Sequence, residues 1–310
     1  MIHSDAEQDA KRAAGRSKVI IREMEAVADL LAVAELLARI WASPVVAPMP
    51  HDIMRSLVHA GGAVHAAFRD EQLVGATVAT FGPPAEASSY SLIAGVSPVV
   101  EGQGIGLALK LAQRAWALRA GATRMTWTFD PLLRRNARFN ITRLGAVVIE
   151  YLVNFYGEIQ DGVNDPETDR LAVTWDLGKP LPGSARSSGS AHGTASYGQD
   201  KPPAILMPGD HGEPVLAPGP AAAPSPSGEL TLGNDPGNST RLRANEGPYR
   251  QLRCWIPEDI LSARRANPDL AGRWRMAVRE ALGGALNDGY EVTELMEPGW
   301  YVLENSRAGR

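Results

Sequence analysis

The sequence predicts a mixed α/β fold in which a central sheet is flanked by helices. Segments with strand-like and helix-like hydrophobic periodicity alternate along residues 17–177. A glycine-rich turn also joins an extended segment, Tyr90–Val96, to an apolar-periodic helix that begins at Ile105. Buried strands that alternate with amphipathic helices are typical of sheets covered by helices.

The elements of this main domain are predicted in chain order from the same periodicity. Before the glycine-rich turn we expect a strand, two helices and three strands: Lys18–Met24, Val27–Ile40, His51–His59, Gly62–Arg69, Gln72–Phe81 and Tyr90–Val96. After the helix at Ile105 we expect a strand, a helix stopped by Gly145, and two strands: Arg124–Phe129, Asn136–Leu144, Ala146–Tyr156 and Leu171–Trp175. The predicted order is therefore β-α-α-β-β-β-α-β-α-β-β.

The regions outside the main domain differ in composition. Residues 1–16 are polar and alanine-rich without an apolar core, so we expect a disordered N-terminus and no secretory signal. Residues 178–248 are rich in Pro, Gly, Ser and Ala, and a long mobile linker is expected because they bury too little apolar surface to offset their ordering entropy.

Residues 249–310 regain regular periodicity and predict a small C-terminal α/β extension docked on the main domain. We expect a strand, two helices and a closing hairpin: Leu252–Ile256, a helix opened by Pro257, Ala271–Leu286, and Tyr290–Leu295 with Trp300–Leu303. For Trp274, Arg275 and Arg279, two roles stay open: closing a substrate pocket, or anchoring this tail to the core.

Composition narrows the class of protein. The chain has 310 residues, 44% of them hydrophobic, which suffices for a sizeable core. No apolar run reaches about 18 residues, so a membrane-spanning helix is not expected. The net charge of −4 gives no overall attraction to nucleic acid or anionic membranes. A single cysteine, Cys254, excludes an internal disulfide and favours a cytoplasmic location.

The glycine-rich turn has the features of an anion site. Gly102, Gly104 and Gly106 permit close approach of the backbone to a ligand, and the helix start directs free N–H groups at it. A pyrophosphate is the ligand that this arrangement favours. Leu107 and Ala108 stand where a P-loop needs Lys and Ser/Thr, and a glycine is missing for the dinucleotide fingerprint.

The segment from Val96 to Lys110 resembles motif A of the GNAT acyltransferase superfamily, Arg/Gln-x-x-Gly-x-Gly/Ala. Glu101, Gly104 and Gly106 occupy its three key positions, and Glu101 departs from the usual Arg or Gln. The predicted element order is also that of this superfamily, which implies a GNAT-type mixed central sheet. The run Trp127–Gly145 is similar to a GNAT subfamily often encoded beside N-acylamino-acid racemases, some members of which are associated with succinyl-CoA-dependent N-succinylation.

The resemblance implies acetyl-CoA or succinyl-CoA as co-substrate, with no metal. It implies one set of cofactor-binding residues: Val96, Ser97, Glu101, Gly102, Gln103, Gly104, Ile105, Gly106, Leu107, Asn136 and Asn140. A backbone N–H of Val96 or Ser97 would bind the oxyanion. For Asn136 and Asn140, surface amides bonded to water are an equal alternative.

The resemblance also exposes a gap, because Ile141 stands where the family usually has the tyrosine that protonates the thiolate. Asp130 as base and Tyr156 as acid are the substitutes that we predict, although Asp130 as a cap of the next turn, and Tyr156 as a packed tyrosine, remain alternatives. Tyr151 is a second tyrosine candidate, and His65 is expected to be a core histidine.

Arg134 and Arg138 share one helix face and are predicted to grip a substrate carboxylate, with a solvated basic face as the alternative. Together these residues predict an N-acyltransferase that moves an acetyl or succinyl group to an amino acid or other small amine by direct attack. A non-catalytic CoA-binding regulatory module is the alternative, motivated by Ile141 and Glu101. Protein N-terminal acetylation is a third, weaker alternative, and a homodimer is left open.

Overall fold

The computed structural model describes residues 2–42, 47–157, 167–183, 201–217 and 249–305. Contacts divide the chain into two compact units. The first unit comprises Met1–Thr128, Tyr156–Thr168 and Val173–Arg186, and the second comprises Phe129–Phe155, Asp169–Ala172 and Ser187–Arg310. The chain therefore passes between the units several times, and the second unit takes in part of the predicted main domain.

The first of two sheets has seven strands in the order β1-β2-β3-β4-β5-β7-β6. Its strands are β1 Ile20–Glu23, β2 Ala63–Arg69, β3 Gln72–Phe81, β4 Ser88–Val96, β5 Arg124–Phe129, β6 Val147–Leu152 and β7 Arg170–Asp176. Strands β1 to β4 pair antiparallel, whereas β4 and β5 pair parallel, so the sheet is mixed.

Helices accompany this sheet along the chain. They are α1 Ile2–Arg16, α2 Val27–Ile40, α3 His51–His59, α4 Ile105–Arg119 and α5 Arg134–Ala137, the last continuing as a π-helical segment, Arg138–Arg143. The predicted fold class, a mixed sheet flanked by helices, is confirmed. The predicted bounds of α2, α3, β3 and β5 match the structure residue for residue.

Hydrophobic burial explains why the first unit folds in this way. Leu30, Val33 and Leu37 of α2 join Met54 of α3 in a buried cluster against β2 and β3. Residues 63–67 of β2 are buried in succession, not in alternation. Both faces of that strand are therefore covered, and its sequence is accordingly a continuous apolar run interrupted only by His65.

The N-terminal segment is helical, so the expectation of disorder over residues 1–16 is wrong. Ala6 and Ala13 are buried on one side of α1, which packs against α4. The Asp9 carboxylate also lies 3.3 Å from Nη1 of Arg114 on α4. Small alanine side chains allow the two helices to approach closely, a packing effect that the polar composition of the segment conceals.

The second sheet has five strands in the order β11-β12-β10-β8-β9. Its strands are β8 Ala204–Pro208, β9 Pro214–Leu216, β10 Gln251–Trp255, β11 Glu291–Met296 and β12 Trp300–Glu304. The helices of this region are α6 Ile260–Ala266, α7 Pro268–Val278 and α8 Gly284–Asn287, with a π-helical segment, Arg279–Gly283, before α8. The predicted closing hairpin is confirmed, since β11 and β12 pair antiparallel.

Part of the predicted linker is structured, and that part of the prediction is wrong. Strands β8 and β9 form a hairpin, and β8 pairs parallel with β10. The segment is ordered by this partner strand and needs no core of its own, which composition cannot reveal. Residues 184–200 and 218–248 of the predicted linker lie outside the described residues.

Trp274 anchors the C-terminal region. Its side chain is buried, its Nε1 donates to the Gly212 carbonyl at 3.0 Å, and its ring lies 5.1 Å from that of Trp255. The helix expected at Pro257 begins later, at Ile260, because Asp259 caps it by accepting the Ser262 N–H at 2.9 Å. None of the helices in the described ranges is long and apolar enough to span a membrane.

Candidate functional site

The candidate site begins where β4 and β5 stop pairing. Their parallel ladder is confined to Ser88–Tyr90 opposite Arg124–Thr126. A bulge follows in β4, because Val78 and Ala79 of β3 pair with Ile93 and Ser91 and leave Leu92 unmatched. We call the space between residues 91–96 of β4 and residues 127–128 of β5 the strand fork. Bulges bend strands, which is consistent with an opening at this place.

Backbone donors of β4 face the strand fork. Ser97 N–H donates to the Val74 carbonyl of β3 at 2.8 Å. Because successive residues of an antiparallel strand point their N–H groups to opposite sides, those of Val96 and Ala94 point away from β3 and into the fork. Of the two predicted oxyanion donors, the Val96 N–H therefore faces the fork, whereas the Ser97 N–H does not, because it is already bonded within the sheet.

The glycine-rich turn lies at the open end of the fork. Gly102 and Gly104 adopt left-handed φ angles of 75° and 82°, and α4 begins directly afterwards. The first N–H groups of α4, those of Ile105, Gly106 and Leu107, have no carbonyl partner inside the helix. Gly104 at the cap position offers no side chain to satisfy them. The turn thus presents backbone donors and the positive end of the helix dipole.

Two side chains of the turn, Glu101 and Gln103, are exposed. Gln103 is held by Arg69, at the end of β2, whose Nη1 donates to Gln103 Oε1 at 2.5 Å. Arg69 Nη2 donates to the Ser17 carbonyl at 2.7 Å. Both of these acceptors are neutral, so Arg69 brings a positive charge to the turn. No pattern in the sequence indicates Arg69, because only the pairing of β2 brings it beside a turn more than thirty residues later in the chain.

Lys110 closes the inner end of the strand fork. Its Nζ donates to Ser91 Oγ at 2.8 Å and lies 3.9 Å from the centre of the Trp127 ring. Ser91 and Trp127 directly follow the last paired residues of β4 and β5, so they mark the apex of the fork. Ser91 Oγ in turn donates to Gln113 Oε1 at 3.0 Å. Burial lowers the pKa of Lys110 to about 7. The sequence signal was a lone lysine inside an apolar helix, and our prediction missed it.

Asp130, the predicted base, lies in the second unit as one half of a buried ion pair. Nη1 and Nη2 of Arg275 donate to its two oxygens at 2.7 and 2.6 Å, and Leu132 N–H donates to Oδ1 at 2.9 Å. Burial raises the pKa of the Asp130 carboxyl, but its partners, chiefly Arg275, together lower it by a larger amount. The pKa therefore lies below the usual value. The prediction of a general base is corrected, because a carboxylate held in this way is a weak base. The alternative, a turn cap, agrees with the Leu132 contact.

Tyr156, the predicted acid, lies in a turn after β6 and not on the expected strand. Its ring is 46% exposed, and its hydroxyl lies 3.1 Å from Thr128 Oγ1, within the first unit. Tyr151 instead donates its hydroxyl to Asp169 Oδ2 at 2.8 Å. Burial and then the Asp169 carboxylate raise the pKa of Tyr151 well above its usual value, which removes it as an acid near neutral pH.

His65 is a buried residue of β2, as expected of a core histidine. Burial lowers its pKa to about 4, against a raising effect of Glu23 and with a further lowering by Arg119. Ile141, at the position of the usual tyrosine, is buried. Neither side chain contributes a proton donor near neutral pH.

The two predicted carboxylate-binding arginines are engaged inside the second unit. Arg134 Nη2 donates to the Ile256 carbonyl, and the guanidinium lies 5.3 Å from the centre of the Trp255 ring. Arg138 forms an ion pair with Glu297. These contacts tie both arginines to residues of the C-terminal extension, which argues against the prediction that they bind substrate, although the buried Arg134 Nε has no hydrogen-bond partner among the described residues.

Asn136 is half-buried on α5, and Asn140 is buried in the π-helical segment that follows. Both asparagines belong to the second unit, whereas the turn and the strand fork belong to the first. Their predicted contact with the cofactor stays a prediction. Within the described ranges no group of three or more His, Cys, Asp or Glu side chains is arranged to hold a metal ion.

Arg275→Met is expected to lower the free energy of unfolding by about 3 kcal/mol, because the buried Asp130 carboxylate loses its two-pronged partner and keeps Arg264 at a distance of 4.0 Å. Asp130→Asn combined with Arg275→Met should lose much less, since no charge is then stranded. Arg124→Met is the matched control, because Arg124 forms an exposed pair with Glu86 worth about 1 kcal/mol or less. Urea denaturation measures all three. A cost for Arg275→Met no larger than that of Arg124→Met would contradict the buried pair.

Lys110→Met is expected to remove a pH dependence of stability. The folded pKa of about 7 lies below the usual 10.5, so the unfolded chain binds the extra proton between these values and stability rises with pH across that window. The variant should therefore be more stable than the parent below pH 7 and should lose that advantage as pH rises towards 10.5. Urea unfolding midpoints at several pH values measure this. A difference in midpoint that stays constant with pH would contradict the lowered pKa of Lys110.

Comparison with known proteins finds a likeness to solved structures at low sequence identity. No family model and no curated protein matches the chain. It is similar to an N-acetyltransferase from Staphylococcus aureus, with 15% identity, 51% of this chain and 98% of that chain covered, and a TM-score of 0.43.

A second similar structure is a ribosomal-protein-S18-alanine N-acetyltransferase from Escherichia coli. The identity is 13%, 52% of this chain and 96% of that chain are covered, and the TM-score is 0.43. The chain is also similar to a GNAT family acetyltransferase from Elizabethkingia anophelis with acetyl-CoA bound. The identity is 15%, 51% of this chain and 98% of that chain are covered, and the TM-score is 0.39. The similarity thus spans about half of this chain and nearly all of each of those chains.

Proposed function

We propose that the protein is an acyl-CoA-dependent N-acyltransferase of the GNAT type that uses acetyl-CoA or succinyl-CoA. The observation that carries this proposal is the continuity of one donor-lined path. The path starts at the glycine-rich turn, follows the N–H groups of Val96 and Ala94, and ends at Lys110. A ligand with a diphosphate at one end and an amide-containing arm at the other matches this order of donors.

The pyrophosphate is assigned to the turn. Free N–H groups of Ile105, Gly106 and Leu107 and the positive end of α4 would bind its oxygens. Arg69 adds a guanidinium beside Gln103. The two oxygens to which Arg69 donates are neutral, so they leave its positive charge in place. That charge compensates for Glu101, which stands where the motif usually has Arg or Gln.

The pantetheine arm is assigned to β4. Its amides can continue the ladder of β4 on the side that β5 leaves unpaired, where Val96 and Ala94 present N–H groups. The arm has about 13 bonds between pyrophosphate and sulfur, about 16 Å when extended. Strand β4 covers about the same 16 Å from Val96 to Ser91, at about 3.3 Å per residue.

The reaction that fits this arrangement is direct acyl transfer. A neutral amine adds to the thioester carbonyl, an N–H of β4 stabilises the oxyanion, and the thiolate then leaves. Cys254 is not proposed as a nucleophile, because it is buried and burial raises the pKa of its thiol. The acceptor is proposed as an amino acid or other small amine, the acyl group as acetyl or succinyl, and the location as cytoplasmic.

A non-catalytic CoA-binding module is the second candidate. Two observations favour it: Ile141 replaces the usual acid, and Asp130 is fixed by Arg275. Turnover of acetyl-CoA and succinyl-CoA with a panel of amino acids separates the two functions. Binding of CoA without turnover of any amine would support the module.

CoA, acetyl-CoA and succinyl-CoA are expected to raise the melting temperature, with a stabilisation of about 2.7 kcal/mol at 100 times Kd. Gly104→Ala should abolish this gain, because an added Cβ would force the backbone out of its left-handed angle and lies 2.8 Å from Ser17 Oγ. Gly121→Ala is the matched control, since Gly121 is also left-handed but follows the far end of α4. No shift with any of the three ligands would refute the proposed function.

Arg69→Gln is expected to weaken CoA binding about tenfold, because one charged contact with phosphate is worth about 1.5–3 kcal/mol before solvent screening. Binding of pantetheine, which lacks phosphate, should not change. Arg22→Gln is the control, as Arg22 lies on the neighbouring strand and faces Glu71. Isothermal titration at two salt concentrations measures both effects. Equal losses for Arg22→Gln and Arg69→Gln would remove Arg69 from the site.

A further inference from the structure

Lys110 is a buried amine that contacts no carboxylate among the described residues. Its contacts are Ser91 Oγ and the face of the Trp127 ring. Gln113, on the same helix, has a buried Nε2 without a hydrogen-bond partner in the described part of the chain. A buried ammonium without a counter-ion destabilises a fold by several kcal/mol. Such groups cluster at functional sites, so Lys110 is a candidate that the acyl-transfer scheme above does not yet use.

The charged groups on the elements that pack against α4 are engaged elsewhere. Asp9 of α1 pairs with Arg114, one turn beyond Lys110. Glu23 of β1 lies 2.8 Å from Arg119 and 3.8 Å from His65 Nε2 of β2. Desolvation alone shifts the pKa of Lys110, with no contribution from a neighbouring charge. Among the described residues, therefore, no carboxylate fixes the charge of Lys110.

The position of Lys110 fixes which part of a bound coenzyme it would meet. The Val96 side chain lies beside Gly106 of the turn, so an arm that enters the fork at Val96 and follows β4 for about 16 Å ends near Ser91. Ser91 is hydrogen-bonded to Lys110. In coenzyme A the atom at the end of that arm is the sulfur. The amine of Lys110 would thus lie at the end of the path and not along its side.

We propose that Lys110 donates the proton to the sulfur of departing coenzyme A, the role for which the sequence has Ile141 in place of tyrosine. This inference rests on the proposed function. In the step, the C–N bond forms, the C–S bond breaks, and its electron pair goes to sulfur. The ammonium of Lys110 gives its proton to that thiolate. The neutral Lys110 side chain then takes up a proton from the nitrogen of the acceptor.

The electrostatics of the apex agree with this role. A proton donor works best when its pKa lies near the working pH, and burial lowers the pKa of Lys110 to about 7. The Trp127 face and Ser91 hydroxyl hold the ammonium in place without neutralising it, unlike a carboxylate. The departing thiolate would be the counter-ion of the Lys110 ammonium until the proton moves to sulfur.

The test is an absorbance titration of the thiolate of free coenzyme A bound to the whole protein, which needs no known acceptor. A thiol has an ordinary pKa of about 8.5. Beside the Lys110 ammonium it should fall by about one unit or more, whereas in Lys110→Met burial should raise it above the ordinary value. Lys110→Arg should restore the lowered value, since it restores a cation.

Affinity gives a second readout that a merely structural role would not move. In Lys110→Met the Kd of coenzyme A near pH 8 should rise about tenfold, while that of acetyl-CoA, which has no ionisable sulfur, should change less than about twofold. Lys179→Met is the control, because Lys179 is an exposed lysine at the surface of the same unit.

Equal losses of affinity for both ligands, or a thiol pKa that is not shifted in the parent protein, would overturn the role of Lys110 and leave the proposed function intact. Failure of the parent protein to bind either ligand would overturn both. Should Lys110→Met not fold, the titration of the parent protein decides alone.

Discussion

The end of hydrogen bonding between β4 and β5 is the constraint on which the candidate site depends. Beyond Tyr90 and Thr126 the two strands no longer satisfy each other, so one edge of β4 keeps its backbone donors inside the sheet. A fully paired ladder would use up the N–H groups of Val96 and Ala94. The bulge at Leu92 and the turn into α4 both lie beyond this point, so the donor-lined path exists only because the ladder stops.

Burial of charge distinguishes the two units. In the second unit, Asp130 and Asp169 are buried and each is held by a two-pronged arginine, Arg275 and Arg279 respectively. Those carboxylates are neutralised and fixed, and they tie α7 and the segment after it to residues beside β5 and β7. In the first unit, Lys110 is buried with only neutral partners. Paired charges of this kind hold a structure, whereas an uncompensated one is available for chemistry.

Local patterns predicted the regular elements well. The bounds of α2, β3 and β5 followed from the periodicity of their apolar residues, and α3 lies within the range predicted for it. The predictions failed where order depends on a distant partner. Helix α1 is fixed by α4, and β8 by β10, so neither polar composition nor a high content of Pro and Gly revealed them.

The sequence by itself determined the order of the elements from β1 to β7 and the glycine-rich turn, because these depend on residues adjacent in the chain. Only the tertiary structure decided which charged side chains are free. Asp130, Arg134 and Arg138 were predicted as site residues, and each is bound by a residue more than a hundred positions away. Arg69 and Lys110 were not predicted: the pairing of β2 brings Arg69 to the turn, and the packing of α4 on the sheet brings Lys110 to the apex of the fork. Hydrogen-bond and ion-pair partners are set by distance in space, which spacing along the chain does not encode.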